Sequence, residues 1–166
     1  LLARLEAREF KLRPEEVELS AHIGGLVESH RPRAESMDVT IHTAIAEVGM
    51  VHIDPDRVGQ ILGNLLSNAL RYTPEGGTVT VGLQGVVDTV ALTVSDTGPG
   101  IDPEDLPHVF ERLYVAQRYR PVRPEGSGLG LSIVKELTAA LRGSVVVESD
   151  LGSGTRVVVE IPRRPL

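Results

Sequence analysis

The sequence contains no cysteine and no tryptophan, and aromatic residues make up only 3% of its 166 residues. Without cysteine, neither a disulfide nor a thiolate zinc site can form. Positive charge is also scarce, since 17 lysine and arginine residues stand against 23 acidic ones and leave a formal net charge of -6. That balance argues against unspecific nucleic-acid binding, which needs a basic surface.

No apolar run is long enough to cross a bilayer, and residues 1–10 lack the layout of a signal peptide. We therefore expect a cytoplasmic domain without membrane contact of its own.

The order of apolar patterns and turn residues predicts an α+β fold around a single core. Asp54-Pro55 predicts a helix start, because aspartate caps and proline suits the first helical position. This helix is expected to reach Tyr72, and Ser20 is predicted to cap an earlier helix that ends near Glu35. Further helices are predicted at 1–10 and at 131–141, the latter ended by Gly143, and strands at 17–19, 39–45, 50–53, 78–83, 88–95, 144–149 and 155–161. This order favours a two-layer sandwich, in which helices cover one face of a mixed β-sheet.

The helix predicted at 54–72 carries an unusual polar stripe. Gln60, Asn64, Ser67, Asn68 and Arg71 follow the spacing of one helical face. Each asparagine costs about 0.5 kcal/mol relative to alanine within a helix. Amide oxygens are hard neutral ligands that suit Mg²⁺, and Arg71 is placed to meet a phosphate. The alternative is a solvated face that happens to carry asparagines, and it is the stronger interpretation if the stripe is taken alone.

Asp96 continues the inward-facing row of Val90, Leu92 and Val94, so strand alternation directs its carboxylate toward the core. A buried carboxylate needs hydrogen-bond donors, or burial costs several kcal/mol. The amino group of adenine is such a donor, whereas the carbonyl of guanine would repel it. This predicts a preference for ATP over GTP. The alternative is an aspartate that only opens the turn at 96–100.

The segment Gly126-Ser-Gly-Leu-Gly130 runs directly into the helix predicted from Leu131. Free N–H groups and the helix dipole make such a junction an anion site, and glycine lets a phosphate approach the backbone. The pattern is neither the dinucleotide fingerprint nor the P-loop. The preceding residues, about 101–125, are too many for an idle connection and include several arginines. They predict a lid over a triphosphate, with a disordered loop as the alternative.

Taken in order, these motifs resemble the ATP-binding catalytic domain of bacterial sensor histidine kinases, of the Bergerat (GHKL) superfamily. The resemblance covers nearly the whole chain. Its parts are the N box at Asn64–Pro74, the first glycine box at Asp96–Gly100, the F box at Phe110–Tyr114, the second glycine box at Gly126–Leu131 and the third at Gly152–Thr155.

The resemblance implies that the domain binds ATP and Mg²⁺. Asn68, helped by Asn64, would hold the metal, Arg71 and Arg112 would meet the phosphates, and Asp96 would bind the adenine amino group. The remaining nucleotide-binding residues that it implies are Tyr72, Gly98, Gly100, Ile101, Tyr114, Gly126, Ser127, Gly128, Leu129, Gly130, Leu131 and Thr155. The arginine that often follows the F-box aromatic is Val115 here, so its task either passes to Arg118 or is lost.

One position separates branches of the superfamily. Its ATPases carry a glutamate one turn before the magnesium-binding asparagine, where it activates water. Asn64 occupies that position here and cannot act as a base. The sequence therefore favours phosphoryl transfer over hydrolysis, with catalysis by positioning and charge neutralisation.

None of the five histidines stands in the sequence context that the family uses for its phosphoacceptor. We therefore expect the acceptor on a dimerisation helix outside this chain, with residues 1–13 as the tail of that helix and 14–166 as the ATP-binding domain. The expected partners are the dimerisation domain of the same kinase and a response regulator. The fragment is expected to be monomeric, within a homodimeric parent anchored in the bacterial plasma membrane. The alternatives are a serine/threonine kinase of the anti-sigma type and a module that only senses ATP.

Overall fold

The computed structural model describes residues 11–111 and 130–164. The helix predicted at residues 1–10 lies outside these ranges. In chain order the elements are β1 (Glu15–Glu18), α1 (Leu19–Ser36), β2 (Thr40–Ile45), β3 (Met50–Ile53), α2 (Pro55–Tyr72), β4 (Thr78–Val86), β5 (Thr89–Asp96), a 3-10 turn (Leu106–His108), α3 (Gly130–Ala140), β6 (Ser144–Asp150) and β7 (Gly154–Pro162).

Five of the strands form one mixed sheet in the order β2-β4-β5-β7-β6. β2 runs parallel to β4, and all other neighbours in this sheet are antiparallel. β1 and β3 pair with each other as a separate antiparallel ribbon. Side chains alternate between the two faces, so one face of β4 buries Val79, Val81 and Leu83. That face shares its core with the buried sides of the helices, which confirms the predicted α+β sandwich.

Helix α2 forms where its sequence predicts it. Asp54 caps the helix by accepting hydrogen bonds from the backbone N–H groups of Asp56 and Arg57, at 3.0 and 3.3 Å. Pro55 occupies the first helical position, where its missing N–H costs nothing. The helix ends at Tyr72, and Thr73 turns its N–H and its hydroxyl onto the carbonyl of Ala69. One face is buried along its whole length, which leaves the polar stripe on the other side.

The predicted cap of helix α1 is wrong by two residues. The helix begins at Leu19, and the capping side chain is Glu18, whose Oε2 accepts from the N–H of Ala21 at 2.9 Å. Ser20 lies inside the first turn and is buried. Its hydroxyl donates to the carbonyl of Ala46 and accepts from the N–H of Val48, at 2.7 and 3.0 Å. The serine therefore holds the β2–β3 connection, a distant partner that local sequence does not show.

Several further boundaries differ from the prediction. Strand β1 spans Glu15–Glu18 and not 17–19. Strand β4 continues to Val86 instead of ending at 83, because Val86 still pairs with Thr89 across the hairpin. Helix α3 ends at Ala140, one residue before the predicted end, and Arg142 after it has a positive φ of 58°. The predicted end residue, Gly143, donates its N–H to the carbonyl of Thr138, and a side chain there would collide with the carbonyl oxygen of Glu160.

Replacing Ser20 by alanine tests the buried bridge to the β2–β3 connection. Ser20→Ala leaves the buried N–H of Val48 without its partner, so we expect a loss of about 1–3 kcal/mol in the free energy of unfolding. Urea denaturation followed by circular dichroism measures it. Ser29→Ala, an exposed serine of the same helix, is the matched control and should change stability by less than about 0.5 kcal/mol. Equal effects of the two substitutions would contradict the role given to Ser20.

Candidate nucleotide site

The core-facing side of the sheet turns polar at one end. Across four strands, neighbouring residues Val79, Asp96, Thr155 and Ser149 stand opposite one another in register. The corresponding row two residues further into the sheet is Val81, Val94, Val157 and Val147, all apolar. Three polar side chains therefore stand together where the core opens, on the face that the helices cover.

Asp96 lies in the inward-facing row of β5 and also opens the turn that follows it. It is the last residue of β5 and is partly buried, and its Oδ1 accepts from the N–H of Gly98 at 2.9 Å, which forms the predicted turn. Burial raises the pKa of Asp96 above its ordinary value, although the backbone groups of Gly98 and Thr155 lower it in part. Removal of the carboxylate from water is thus the larger effect. A ligand that donates a hydrogen bond would relieve that cost.

The first glycine loop is wedged between α2 and the β6–β7 turn. A Cβ at Gly98 would lie only 2.8 Å from the carbonyl oxygen of Tyr72 at the end of α2. Gly100 has φ +77°, and a side chain there would collide with the carbonyl oxygen of Asp150. The N–H of Gly152 donates to the carbonyl of Pro99 at 2.8 Å and ties the two turns together. These glycines therefore allow close backbone packing that places Asp96 next to the end of α2.

The polar stripe of α2 faces the amino end of α3. The Nδ2 of Asn64 donates to the carbonyl of Gln60 at 2.9 Å, so its Oδ1 is not used within the helix. A Cβ added at Gly130, the first residue of α3, would lie 3.9 Å from that Oδ1. The half-buried Asn68 lies one turn further along the helix, on the same face. The asparagines and the amino end of α3 thus lie side by side, as a metal–phosphate site requires.

Two arginines add positive charge to this face. The guanidinium of Arg71 lies 5.6 Å from the centre of the Tyr72 ring. Its Nε is buried and has no hydrogen-bond partner in the part of the chain that the structure describes. Arg33 of α1 reaches across to Ser67 and donates to its hydroxyl at 3.0 Å. A buried donor without an acceptor is costly unless a ligand supplies one, so Arg71 fits an anion such as a phosphate.

Some of the predicted site residues lie together, and others are outside the description. Tyr72, Asp96, Gly98, Gly100, Ile101 and Thr155 meet at the polar end of the sheet, with Asn64, Asn68, Arg71 and Gly130 along the neighbouring helices. Leu131 is half-buried and packs against the core. Arg112, Tyr114, Gly126, Ser127, Gly128, Leu129 and most of the predicted lid lie outside the described residues.

Ser149 is a site residue that the sequence-based prediction missed. Its hydroxyl lies 2.7 Å from the N–H of Ile101, 2.8 Å from the carbonyl oxygen of Gly154 and 3.0 Å from the hydroxyl of Thr155. The alternation of side chains along the strand, which identified Asp96, would also have identified Ser149. Ser149 follows Val145 and Val147 in the inward-facing row of β6, so it is a polar residue at an apolar position.

The described residues hold no group of three or more histidine, cysteine, aspartate or glutamate side chains suited to a metal ion. Within 11–111 and 130–164, none of the helices has the length and apolar character needed to cross a membrane.

Four of the histidines make local structural contacts. His22 and His30 lie within hydrogen-bond distance of the carbonyls of Pro55 and Leu26, at 3.0 and 2.8 Å. His52 and His108 lie against Glu16 and Glu111, at 3.0 and 2.8 Å. They are spread over the surface of the domain, in agreement with their interpretation as ordinary packing and surface residues.

The fold and the site together define a nucleotide-binding domain: a helix-covered sheet with a carboxylate at its open end and an amide-bearing helix beside an anion-binding helix terminus. A family model described as "Histidine kinase-, DNA gyrase B-, and HSP90-like ATPase" matches residues 53–165. The chain belongs to this family, and it is similar over nearly its whole length to the catalytic part of sensor histidine kinases.

Curated relatives and solved structures agree with that assignment. The sensor histidine kinase CusS of Escherichia coli O6:H1 is 38% identical over 98% of this chain and 34% of its own length. The adaptive-response sensory kinase SasA of Synechococcus sp. (strain JA-3-3Ab) is 34% identical over 96% of this chain and 42% of its own. The chain therefore spans about a third to two fifths of the length of these relatives.

Among solved structures, full-length ShkA in complex with AMPPNP superposes with a TM-score of 0.82 and 33% identity, over 96% of this chain and 33% of ShkA. The mycobacterial sensor histidine kinase MprB superposes with a TM-score of 0.77 and 30% identity, over 93% of this chain and all of that structure. The predicted family and fold class are thus confirmed.

The burial of Asp96 should affect the free energy of unfolding of the ligand-free domain. Because its pKa is raised in the folded state, the folded protein binds this proton more tightly, and ionisation of Asp96 costs stability as the pH rises through the raised pKa. Asp96→Asn removes that cost. The substitution should therefore raise the urea midpoint at neutral pH, and the gain should shrink as the pH falls toward 3.8, the ordinary pKa of aspartate.

The control for this measurement is Asp88→Asn, which removes an exposed carboxylate at the β4–β5 turn. It reports what the loss of one negative charge does to stability without burial. A gain for Asp96→Asn that equals the control, or that does not depend on pH, would contradict the buried state of Asp96.

Proposed function

We propose that this domain binds Mg·ATP at the described site and donates the γ-phosphate to a histidine on the dimerisation domain of its own kinase. Adenine would lie at the polar end of the sheet, where Asp96 accepts a hydrogen bond from its amino group. The triphosphate would run along the polar face of α2 toward the amino end of α3. The juxtaposition of Asn64 with Gly130 supports this course, because it brings metal ligands and free helix N–H groups to one place.

Magnesium fits the residues on this face. Asn68 and the Oδ1 of Asn64 would hold the ion together with phosphate oxygens, since Mg²⁺ usually takes few protein ligands and keeps waters and substrate oxygens. The ion would neutralise the charge that develops on the phosphates. Arg71, whose buried Nε has no partner among the described residues, would donate to the same phosphates. Arg112, outside the described residues, would be a second phosphate contact.

The observation that carries the choice of reaction is that the polar face of α2 carries no carboxylate from Gln60 to the end of the helix. Its members there are Gln60, Asn64, Ser67, Asn68 and Arg71, whereas Asp56 lies in the first turn, two turns before Asn64. Asn64 in addition has its amide nitrogen bound to the carbonyl of Gln60, which fixes the side chain as an oxygen ligand. None of these groups takes a proton from water at neutral pH. This supports transfer to a better nucleophile over hydrolysis.

The acceptor histidine is proposed to lie on a separate element of the parent protein. The phosphate would then pass to a response regulator, as the relatives' class implies. We propose further that the parent is a homodimer in the plasma membrane with this domain on the cytoplasmic side, where ATP is available.

The decisive test is phosphorylation in trans. This domain is mixed with [γ-³²P]ATP, Mg²⁺ and a purified dimerisation fragment of a related sensor kinase that carries its histidine. Label that appears on the fragment, is stable in alkali and is labile in acid supports the proposal. A histidine→glutamine version of the fragment controls for transfer to other residues.

Two outcomes would contradict the proposal. Tight binding of Mg·ATP without label on the histidine fragment would favour an ATP-sensing module. Acid-stable label on serine or threonine of an added protein would favour a kinase of the anti-sigma type.

The role of Asn68 is tested by substitution within α2. Asn68→Ala removes a metal ligand without touching the buried side of the helix, so Mg²⁺-dependent ATP binding should weaken by about tenfold or more while binding in EDTA changes little. Titration of a fluorescent ATP analogue with and without EDTA measures both. Ser67→Ala, its neighbour, is the matched control, since that hydroxyl is engaged by Arg33. Loss of helicity in Asn68→Ala would show instead that the residue is structural.

A further inference from the structure

Ser149 lies where three parts of the proposed nucleotide pocket meet. It stands on β6 directly across from Thr155 on β7, and Thr155 in turn stands across from Asp96 on β5. The serine is half-buried and faces the core side of the sheet. Through its hydroxyl it contacts Ile101, at the beginning of the segment that leaves the first glycine loop.

The hydrogen bonds of this hydroxyl can be counted. A serine hydroxyl has one proton to donate and two lone pairs to accept with. The carbonyl oxygen of Gly154, at 2.8 Å, can only accept, so it takes the proton of Ser149. The N–H of Ile101, at 2.7 Å, can only donate and takes one lone pair. The remaining lone pair faces the hydroxyl of Thr155 at 3.0 Å.

This count determines the direction of the last hydrogen bond. Because Ser149 has no second proton, Thr155 must be the donor to Ser149. The proton of Thr155 is then committed, and its oxygen presents only lone pairs elsewhere. Its neighbour across the strands is Asp96, whose ionised carboxylate is likewise an acceptor. Thr155 and Asp96 therefore present two adjacent acceptors at the open end of the sheet, and neither of them offers a hydroxyl proton.

We infer that Ser149 is a positioning residue for nucleotide selectivity, which acts by holding the hydroxyl of Thr155 as an acceptor. The inference rests on the proposed function, since it concerns the adenine end of the same pocket. Adenine offers an amino donor at C6, directly or through a water molecule, which two acceptors satisfy. Guanine offers a carbonyl there, which they repel. Without Ser149, the hydroxyl of Thr155 is free to rotate and donate to that carbonyl.

A purely structural role of Ser149 would change the two nucleotide affinities in a different way. If Ser149 only supports the backbone of Ile101 and Gly154, its loss loosens the pocket for every purine and weakens ATP and GTP by the same factor. The ratio of the two affinities therefore separates selectivity from support, because a change in pocket rigidity cancels in it.

The test measures dissociation constants for Mg·ATP and Mg·GTP with the whole domain. Ser149→Ala should weaken ATP binding and should lower the ATP-to-GTP preference by about tenfold, as expected when a fixed hydrogen-bond pattern relaxes. Ser149→Thr, which keeps a hydroxyl, should restore most of the preference. Ser144→Ala, at the exposed start of the same strand, should leave both affinities unchanged. Equal weakening of ATP and GTP in Ser149→Ala would overturn the inference.

A double-substitution cycle identifies the route of the effect. Thr155→Val removes the hydroxyl that Ser149 is inferred to orient. In that background Ser149→Ala should produce no further change in the ATP-to-GTP ratio, because the two residues act as a unit. If the two substitutions lowered the ATP-to-GTP preference additively, the inference would be overturned. If Ser149→Ala folds poorly, Ser149→Cys takes its place in the cycle.

The outcomes also separate this inference from the proposed function. If the unsubstituted domain binds neither nucleotide, the proposed function fails and the inference fails with it. If it binds ATP and GTP equally well but transfers phosphate to the histidine fragment, the inference alone fails. If the domain prefers ATP and transfers phosphate to the histidine fragment, but the ratio is unmoved by Ser149→Ala, the inference alone fails.

Discussion

The partial burial of one carboxylate at the end of an apolar row is the constraint on which the site depends. Asp96 occupies a position that its strand otherwise gives to valine and leucine, and the cost appears as a raised pKa. Backbone groups of Gly98 and Thr155 lower the cost of this burial by hydrogen bonding to Asp96, so the backbone must approach the carboxylate closely. A side chain at Gly154 would collide with the carbonyl oxygen of Asp96, and one at Gly98 would crowd its carboxylate. The glycines of the first and third motifs thus serve the same aspartate.

Helix α2 connects the end of the sheet proposed for the purine with the region proposed for the phosphates. Its buried face fixes it on the sheet, so the positions of Asn64, Asn68 and Arg71 follow from core packing. Its carboxyl end touches the first glycine loop through Tyr72, and its middle faces Gly130 at the amino end of α3. In the proposed pose, one helix would therefore set the distance between the adenine and the metal ligands, and placing a site on a regular element in this way makes its geometry more precise.

Features that depend on local periodicity could be predicted from the sequence, and those that depend on distant partners could not. The bounds of α2 follow from Asp54, Pro55 and an apolar stripe, and the inward position of Asp96 follows from alternation along β5. Ser20 resembles a helix cap by local chemistry, but the carbonyl of Ala46 and the N–H of Val48 claim its hydroxyl. Arg142 takes a left-handed conformation, and Gly143 after it lies close to Glu160 on strand β7. Such competition is decided only once strands from other parts of the chain are in place.

Three polar side chains of the candidate site are oriented by hydrogen bonds to nearby backbone groups. The carbonyl of Gln60 holds the amide of Asn64, the N–H of Gly98 holds the carboxylate of Asp96, and the carbonyl of Gly154 takes the proton of Ser149. If a nucleotide binds as proposed, it meets oxygens that are already oriented, so little binding free energy is spent on ordering these side chains. The amide of Asn64 cannot take a proton from water, and the proton of Ser149 is already donated. The proposed phosphoryl transfer needs such positioning and needs no activation of water.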